Sequence, residues 1–236
     1  MTESQNLPTS TVYGPVNSWR VGKSLGIDLL FTNSICSFRC VYCQLGKINE
    51  HTQERKIYIP TEKVLADLQA SQWQEADVIT FSGNGEPTAA AAFPEAVASV
   101  RDILAARGLA AAVKIRLITN GSLVHRRAVQ AGIRAIGEAG GEVWFKVDRV
   151  GEAATRAING VPSDPAKVLR NLRRTAALAL TWVQTCWFAI DGAAPTAEAR
   201  DAYCAWLGEA AASLAASTSG VAEPVKPTLR SERPSR

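Results

Sequence analysis

Only two histidines, His51 and His125, occur in the 236 residues, and the chain has neither a G-x-S-x-G nor an H-E-x-x-H motif. Hydrolysis built on histidine therefore has little material to draw on. No stretch approaches the roughly 20 uninterrupted apolar residues that span a bilayer, and the opening MTESQNLPTS lacks the basic-then-apolar order of a signal peptide. A cytoplasmic protein with no membrane partner is expected. Cysteine is sparse and odd in number, five in all, so complete disulfide pairing is impossible and metal binding or burial must account for the thiols. A dense basic stripe is missing too. The last twenty residues hold four basic and two acidic side chains, +2 of the net +4, which leaves only +2 for the rest of the chain. Lys167, Arg170, Arg173 and Arg174 read as a solvated helix flank. With no internal repeat, solenoids and propellers drop out.

What the sequence does contain is a hydrophobic content of 47%, enough for one real core at this length. Short apolar runs alternate with Ala/Leu/Arg-rich stretches. Residues 24–32, 77–82, 114–119, 142–147 and 181–188 read as strands, and helical spacing returns after Pro60, with Thr61 as its N-cap, and over residues 196–216. Near-continuous apolar character suits strands buried on both faces of a parallel sheet covered by crossover helices. The expected fold is α/β, a partial (β/α) barrel with five clear strands and an incomplete or replaced sixth unit. Residues 1–23 read as an irregular lead-in, 24–216 as the single core domain, and 217–236 as a disordered tail.

Directly after the first predicted strand comes CSFRCVYC, in which Cys36, Cys40 and Cys43 form a C-x3-C-x2-C array. Three thiolates on one loop can converge on one metal centre, and the C-terminal edge of a parallel sheet is where α/β folds place ligands. Structural zinc takes four ligands, and His51 is the nearby fourth candidate. A 4Fe-4S cluster held by three cysteines instead leaves one iron open for an exogenous ligand. Cys186 and Cys204, alone in apolar segments, read as small core residues.

The cysteine spacing, with Tyr42 before the third cysteine, resembles the signature of the radical S-adenosylmethionine (radical SAM) superfamily. The second strand ends in Gly83-Asn84-Gly85-Glu86-Pro87, which resembles the GGEP motif of that superfamily, whose main chain receives the methionine amino group. Asn84 stands where glycine is commoner, a mild departure because Asn tolerates left-handed backbone. The third strand ends in Thr119-Asn120-Gly121, similar to a TNG segment that lies near the ribose and carboxylate of the cofactor. Lys146, Asp148 and Gln184 alternate with apolar neighbours as residues lining a barrel mouth would. The phrases FKVD, AINGVP and VQT, together with YGPVNSWRVGKSLGIDLL, look like the branch of iron-sulfur oxidoreductases that contains the tRNA wyosine-forming enzymes. Those enzymes use a second cluster, for which no further cysteine group exists here.

The resemblance implies a 4Fe-4S cluster on Cys36, Cys40 and Cys43 and S-adenosylmethionine held by Tyr42, Gly83, Asn84, Gly85, Glu86, Asn120, Lys146, Asp148 and Gln184. It further implies an external electron donor of the flavodoxin or ferredoxin type, and a hydrogen-bearing substrate for which tRNA is a candidate. Other readings of the same residues remain open: a zinc-binding RNA-interaction module, an iron-sulfur electron carrier, and an inactive truncated relative.

Overall fold

Strands with apolar residues on both faces form the centre of the chain, as their composition predicts. The computed structural model describes residues 10–18, 22–31, 34–71 and 73–217. In chain order its strands are β1 (Val12–Ser18), β2 (Gly22–Ile27), β3 (Ile35–Cys36), β4 (Glu50–His51), β5 (Val78–Phe81), β6 (Lys114–Thr119), β7 (Glu142–Lys146) and β8 (Leu180–Gln184). The helices are α1 (Thr61–Ala70), α2 (Phe93–Ala106), α3 (Arg127–Glu138), α4 (Glu152–Asn159), α5 (Pro165–Ala176) and α6 (Ala197–Ser217).

One six-stranded sheet runs in the order β1-β2-β5-β6-β7-β8, and β3 and β4 form a separate parallel pair. From β2 to β8 every neighbour is parallel, in a register that aligns Leu25, Ile79 and Ile115 across three strands and Leu117 with Val143. Crossover helices follow from that order, because a parallel neighbour can be reached only by a long return. Their buried residues recur at helical spacing: Phe93, Val97, Val100 and Leu104 on α2, then Val129, Ile133 and Ile136 on α3. α6 adds Tyr203, Trp206, Ala210 and Leu214 to the same core. Local chemistry sets the helix ends. Asp164 caps α5 by accepting from Ala166 N at 2.9 Å, with Pro165 in the first turn, and Thr196 Oγ1 accepts from Ala199 N at 3.2 Å before α6.

The partial barrel with five parallel strands is present, and its sixth strand differs from the expectation. It is β1, taken from the lead-in expected to be irregular, and it pairs antiparallel with β2 at the sheet edge. The register shifts between Tyr13 and Val16, around Gly14 and Pro15. Edge position explains both the tolerance of proline and the exposure that hides the strand from a hydrophobic pattern, Val16 being 49% exposed. Among the described residues no strand follows β8. Two predicted strands, 24–32 and 181–188, overran their observed ends by several residues. β2 stops at Ile27 because the Asp28 carboxylate accepts from Leu30 N and Phe31 N and turns the chain; β8 stops at Gln184. Pro60, not Thr61, occupies the N-cap position of α1. The tail expected to be disordered lies, from residue 218 onward, outside the described residues.

At the N-terminal end of the parallel strands, Arg116 and Glu142 face each other in register and form a buried ion pair, with Arg116 Nε donating to Glu142 Oε1 at 2.6 Å. Two indoles complete the carboxylate: Trp144 Nε1 donates to Oε1 at 3.0 Å and Trp182 Nε1 to Oε2 at 2.9 Å. Arg116 also lies 4.4 Å from the Trp144 ring centre. Removing the carboxylate strands a buried guanidinium and two indole N–H groups. Glu142→Ala is expected to lower unfolding free energy by about 3 kcal/mol, read from urea denaturation, without changing the chemistry at the opposite end of the strands.

Candidate cofactor site

The cysteine loop is docked on the end of β5 by main-chain bonds. Ile35 N donates to Asn84 O at 2.9 Å, and Glu86 N donates to Ile35 O at 2.8 Å. This contact is why glycines flank Asn84. A Cβ on Gly85 would fall 1.8 Å from Ile35 O and one on Gly83 would fall 2.4 Å from Asp28 Cγ, and both glycines have positive φ, 133° and 147°. Asp28 fixes the same turn from below, since its Oδ2 accepts from Asn84 N at 3.1 Å. The Asn84 side chain turns away and donates to Phe31 O.

Glu86 links this turn to β6. Its buried carboxylate accepts from Thr88 Oγ1 and Thr119 Oγ1, each at 2.6 Å, from Thr88 N at 3.2 Å and from Asn120 N at 2.7 Å. Burial raises its pKa and these donors pull it back. Asn120 Nδ2 then reaches the cysteine loop, 3.1 Å from Ser37 Oγ and 3.5 Å from Cys36 Sγ.

Asp148, after β7, organises the other wall. Its Oδ2 accepts from the Tyr42 hydroxyl and from Asn159 Nδ2, the latter at 2.8 Å, while its Oδ1 accepts from Cys186 N at 2.9 Å. Lys146 Nζ sits 3.5 Å from Asp148 Oδ1 and 4.9 Å from the Tyr42 ring centre. Burial, with the Asp148 charge beside it, pushes the Tyr42 phenol well above its usual range. Arg149 fastens the β8 exit: Nη1 donates to Asp148 O at 2.6 Å and Cys186 O at 3.2 Å, and the guanidinium stacks 4.0 Å from the Trp187 ring centre.

Between these walls lies a cavity of about 650 Å³ at the C-terminal ends of the parallel strands. It is lined by Cys36, Cys40, Cys43, Tyr42, Gly83, Gly85, Glu86, Asn120, Lys146 and Gln184. Of the residues singled out from sequence, Asn84 and Asp148 do not line it and act from behind, through Phe31 and through Tyr42. His51 pairs in register with Cys36 but lines a second cavity, of about 430 Å³, that shares Phe38 and Asn120 with the first. His51 is thus the strand partner of Cys36 but is not among the residues lining the cavity that the three cysteines share.

Among the described residues, no three His, Cys, Asp or Glu side chains close on one point as a single-ion site. Three cysteines lining one cavity are a donor set that would suit an iron-sulfur cluster. Burial pushes the Cys36 thiol up to about 12, with the Glu86 charge adding to the shift, and raises Cys40 as well.

Three residues depart from the reading of the sequence. Cys186 is half-buried and lines the cavity with Trp187, and Cys204 is exposed, so neither is a core residue. Both lie in apolar segments, and composition alone could not show which way they face. Asn159, which donates to Cys40 Sγ at 3.2 Å, was not singled out; the phrase AINGVP marked its segment without marking its role.

A model of the radical SAM superfamily matches residues 30–186. The chain belongs to that superfamily. It is 50% identical over 99 residues to UPF0026 protein slr1464 of Synechocystis sp., a match covering 42% of this chain and 37% of that protein. The chain spans about half or less of the lengths of the curated relatives it matches. Among solved structures, an alanine mutant of spore photoproduct lyase aligns over 84% of this chain and 54% of its own, with a TM-score of 0.53 at 14% identity. Native anSMEcpe with bound AdoMet aligns over 75% of this chain and 46% of its own, with a TM-score of 0.51 at 18% identity. At those identities the likeness is one of fold. No helix among the described residues is long and apolar enough to cross a membrane.

Gly85 offers a direct test of the docked loop. Gly85→Ala is expected to cost about 2 kcal/mol or more from positive φ and backbone collision and to lower the melting temperature measurably. Alanine tolerated there without loss would show that the loop does not depend on this approach.

Proposed function

We propose that this radical SAM chain holds a 4Fe-4S cluster through Cys36, Cys40 and Cys43 and binds S-adenosylmethionine in the adjoining cavity. The observation that carries the reading is the convergence of the three thiols, the Gly83–Gly85 turn and the ends of β6, β7 and β8 on one space. Bound there, the two groups would supply reductive cleavage of the sulfonium and, from it, hydrogen abstraction from substrate by a 5′-deoxyadenosyl radical.

The protein's own part is binding, orientation and exclusion of water. The glycine turn brings unhindered main chain to the cavity edge, where strand-end carbonyls can accept from an ammonium group. Asn120 presents a side-chain amide beside the cysteine loop, and Tyr42 closes the loop over Asp148. Lys146, held between Asp148 and the Tyr42 ring, supplies a cation suited to a carboxylate, and Gln184 lies on the neighbouring strand in register with it. An external one-electron donor of the flavodoxin or ferredoxin type, acting in the cytoplasm, completes the scheme. The branch resemblance makes tRNA the candidate substrate.

Anaerobic reconstitution followed by dithionite and S-adenosylmethionine tests the reading. About four irons per chain and release of 5′-deoxyadenosine are expected. Cys40→Ala should abolish both, whereas Cys204→Ala should leave both unchanged and Cys186→Ala should keep its iron. A colourless protein with one zinc, or iron unaffected by loss of Cys40, would refute it.

A further inference from the structure

Helix α4 ends against the cysteine loop. The last carbonyls of a helix have no partners within it, and here they accept from the loop on either side of Cys40: Arg39 N donates to Asn159 O at 2.7 Å and Val41 N to Ile158 O at 2.9 Å. Gly160 ends the helix at φ 72°, and a Cβ there would lie 2.8 Å from Arg39 O, so helix end and loop touch backbone to backbone.

The Asn159 side chain is 3% exposed and does not line the cofactor cavity. Its Nδ2 donates to Cys40 Sγ at 3.2 Å and to Asp148 Oδ2 at 2.8 Å. The Asp148 oxygen and the Cys40 sulfur both stand as acceptors, so the amide turns its NH₂ toward them and uses one N–H for each. Asp148 cannot swing away to release it, because Tyr42, Lys146 and the Cys186 main chain hold the same carboxylate. The N–H aimed at Cys40 is therefore fixed before any metal arrives. By comparison the donors on Cys36 are longer, Phe38 N at 3.3 Å and Asn120 Nδ2 at 3.5 Å, and Asn120 itself lines the cavity.

We propose that Asn159 is a positioning residue that sets the reduction potential of the cluster through Cys40. An N–H on a ligating sulfur draws negative charge from it, and the reduced cluster, carrying one more electron, gains most from that bond. In the absence of S-adenosylmethionine the electron, supplied by the external one-electron donor, stays on the cluster; Asn159 neither gives nor takes a proton. This inference rests on the reading that Cys36, Cys40 and Cys43 hold the cluster.

The test is a redox titration of anaerobically reconstituted protein, with reduced cluster counted by EPR. At a poise that half-reduces the wild type, Asn159→Leu, similar in shape but without the N–H, is expected to show a reduced-to-oxidised ratio about tenfold lower, equivalent to about 59 mV for one electron. Iron per chain should be equal in the two proteins. An unchanged ratio at equal iron overturns the proposal, whereas wild-type protein without a cluster signal overturns the underlying reading instead. If Asn159→Leu does not hold iron, pulsed EPR of the reduced wild type carrying isotope-labelled asparagine decides. Coupling to an amide nitrogen that persists in Asn120→Ala supports the assignment, and its absence overturns it.

Discussion

Two main-chain hydrogen bonds, between Ile35 and the Asn84–Glu86 turn, hold the cysteine loop to the sheet. Each contributes only about 1 kcal/mol net, but together they fix the register of Cys36, the very next residue. Glu86 carries that register one strand further, because its carboxylate binds Thr119 and the Asn120 main chain. Cysteine loop, glycine turn and the end of β6 thus form one hydrogen-bonded unit. Within it, a shift of any part leaves buried donors without acceptors, which costs more than any single bond supplies.

The opposite wall is built on charge. Asp148 is nearly inaccessible and gathers a phenol, an amide, an ammonium and a backbone N–H. So many donors satisfy the buried carboxylate. They also join three separate exits from the sheet, since Tyr42 belongs to the cysteine loop, Lys146 to β7 and Cys186 to the segment after β8. The cavity lies between this wall and the glycine turn with its Glu86 carboxylate, and its thiols come from the loop that both walls grip.

Features whose residue type is dictated by local chemistry could be read directly from the sequence. Thiolate ligands must be cysteines, and a main chain approached by Ile35 O must be glycine, so C-x3-C-x2-C and Gly83-Asn84-Gly85 stood out. Apolar runs revealed the parallel strands, because both their faces are covered. Strand β1 was hidden: it lies at an edge, contains Gly14 and Pro15, and exposes Tyr13 and Val16. Asn159 was hidden for another reason. It lies 119 positions from Cys40, and an asparagine at a helix end before glycine reads first as a stop signal. Cys186 had no periodicity to fall into, since β8 ends two residues earlier and the chain turns toward the cavity.

The clamp around Arg149 ties this wall to the cysteine loop. Residues 185–188 have left the sheet, and strand pairing no longer steadies them. They are held by the Arg149 guanidinium, which grips the Cys186 carbonyl and lies against the Trp187 ring, by the Asp148 carboxylate that accepts the Cys186 N–H, and by contacts of Thr185 and Trp187 with Tyr203 and of Phe188 with Tyr42. The same carboxylate reaches Asn159 and, through it, Cys40. The Trp187 indole and the Cys40 sulfur, both at the cavity, are thus tied to one another through Arg149, the Cys186 main chain, a single buried carboxylate and Asn159.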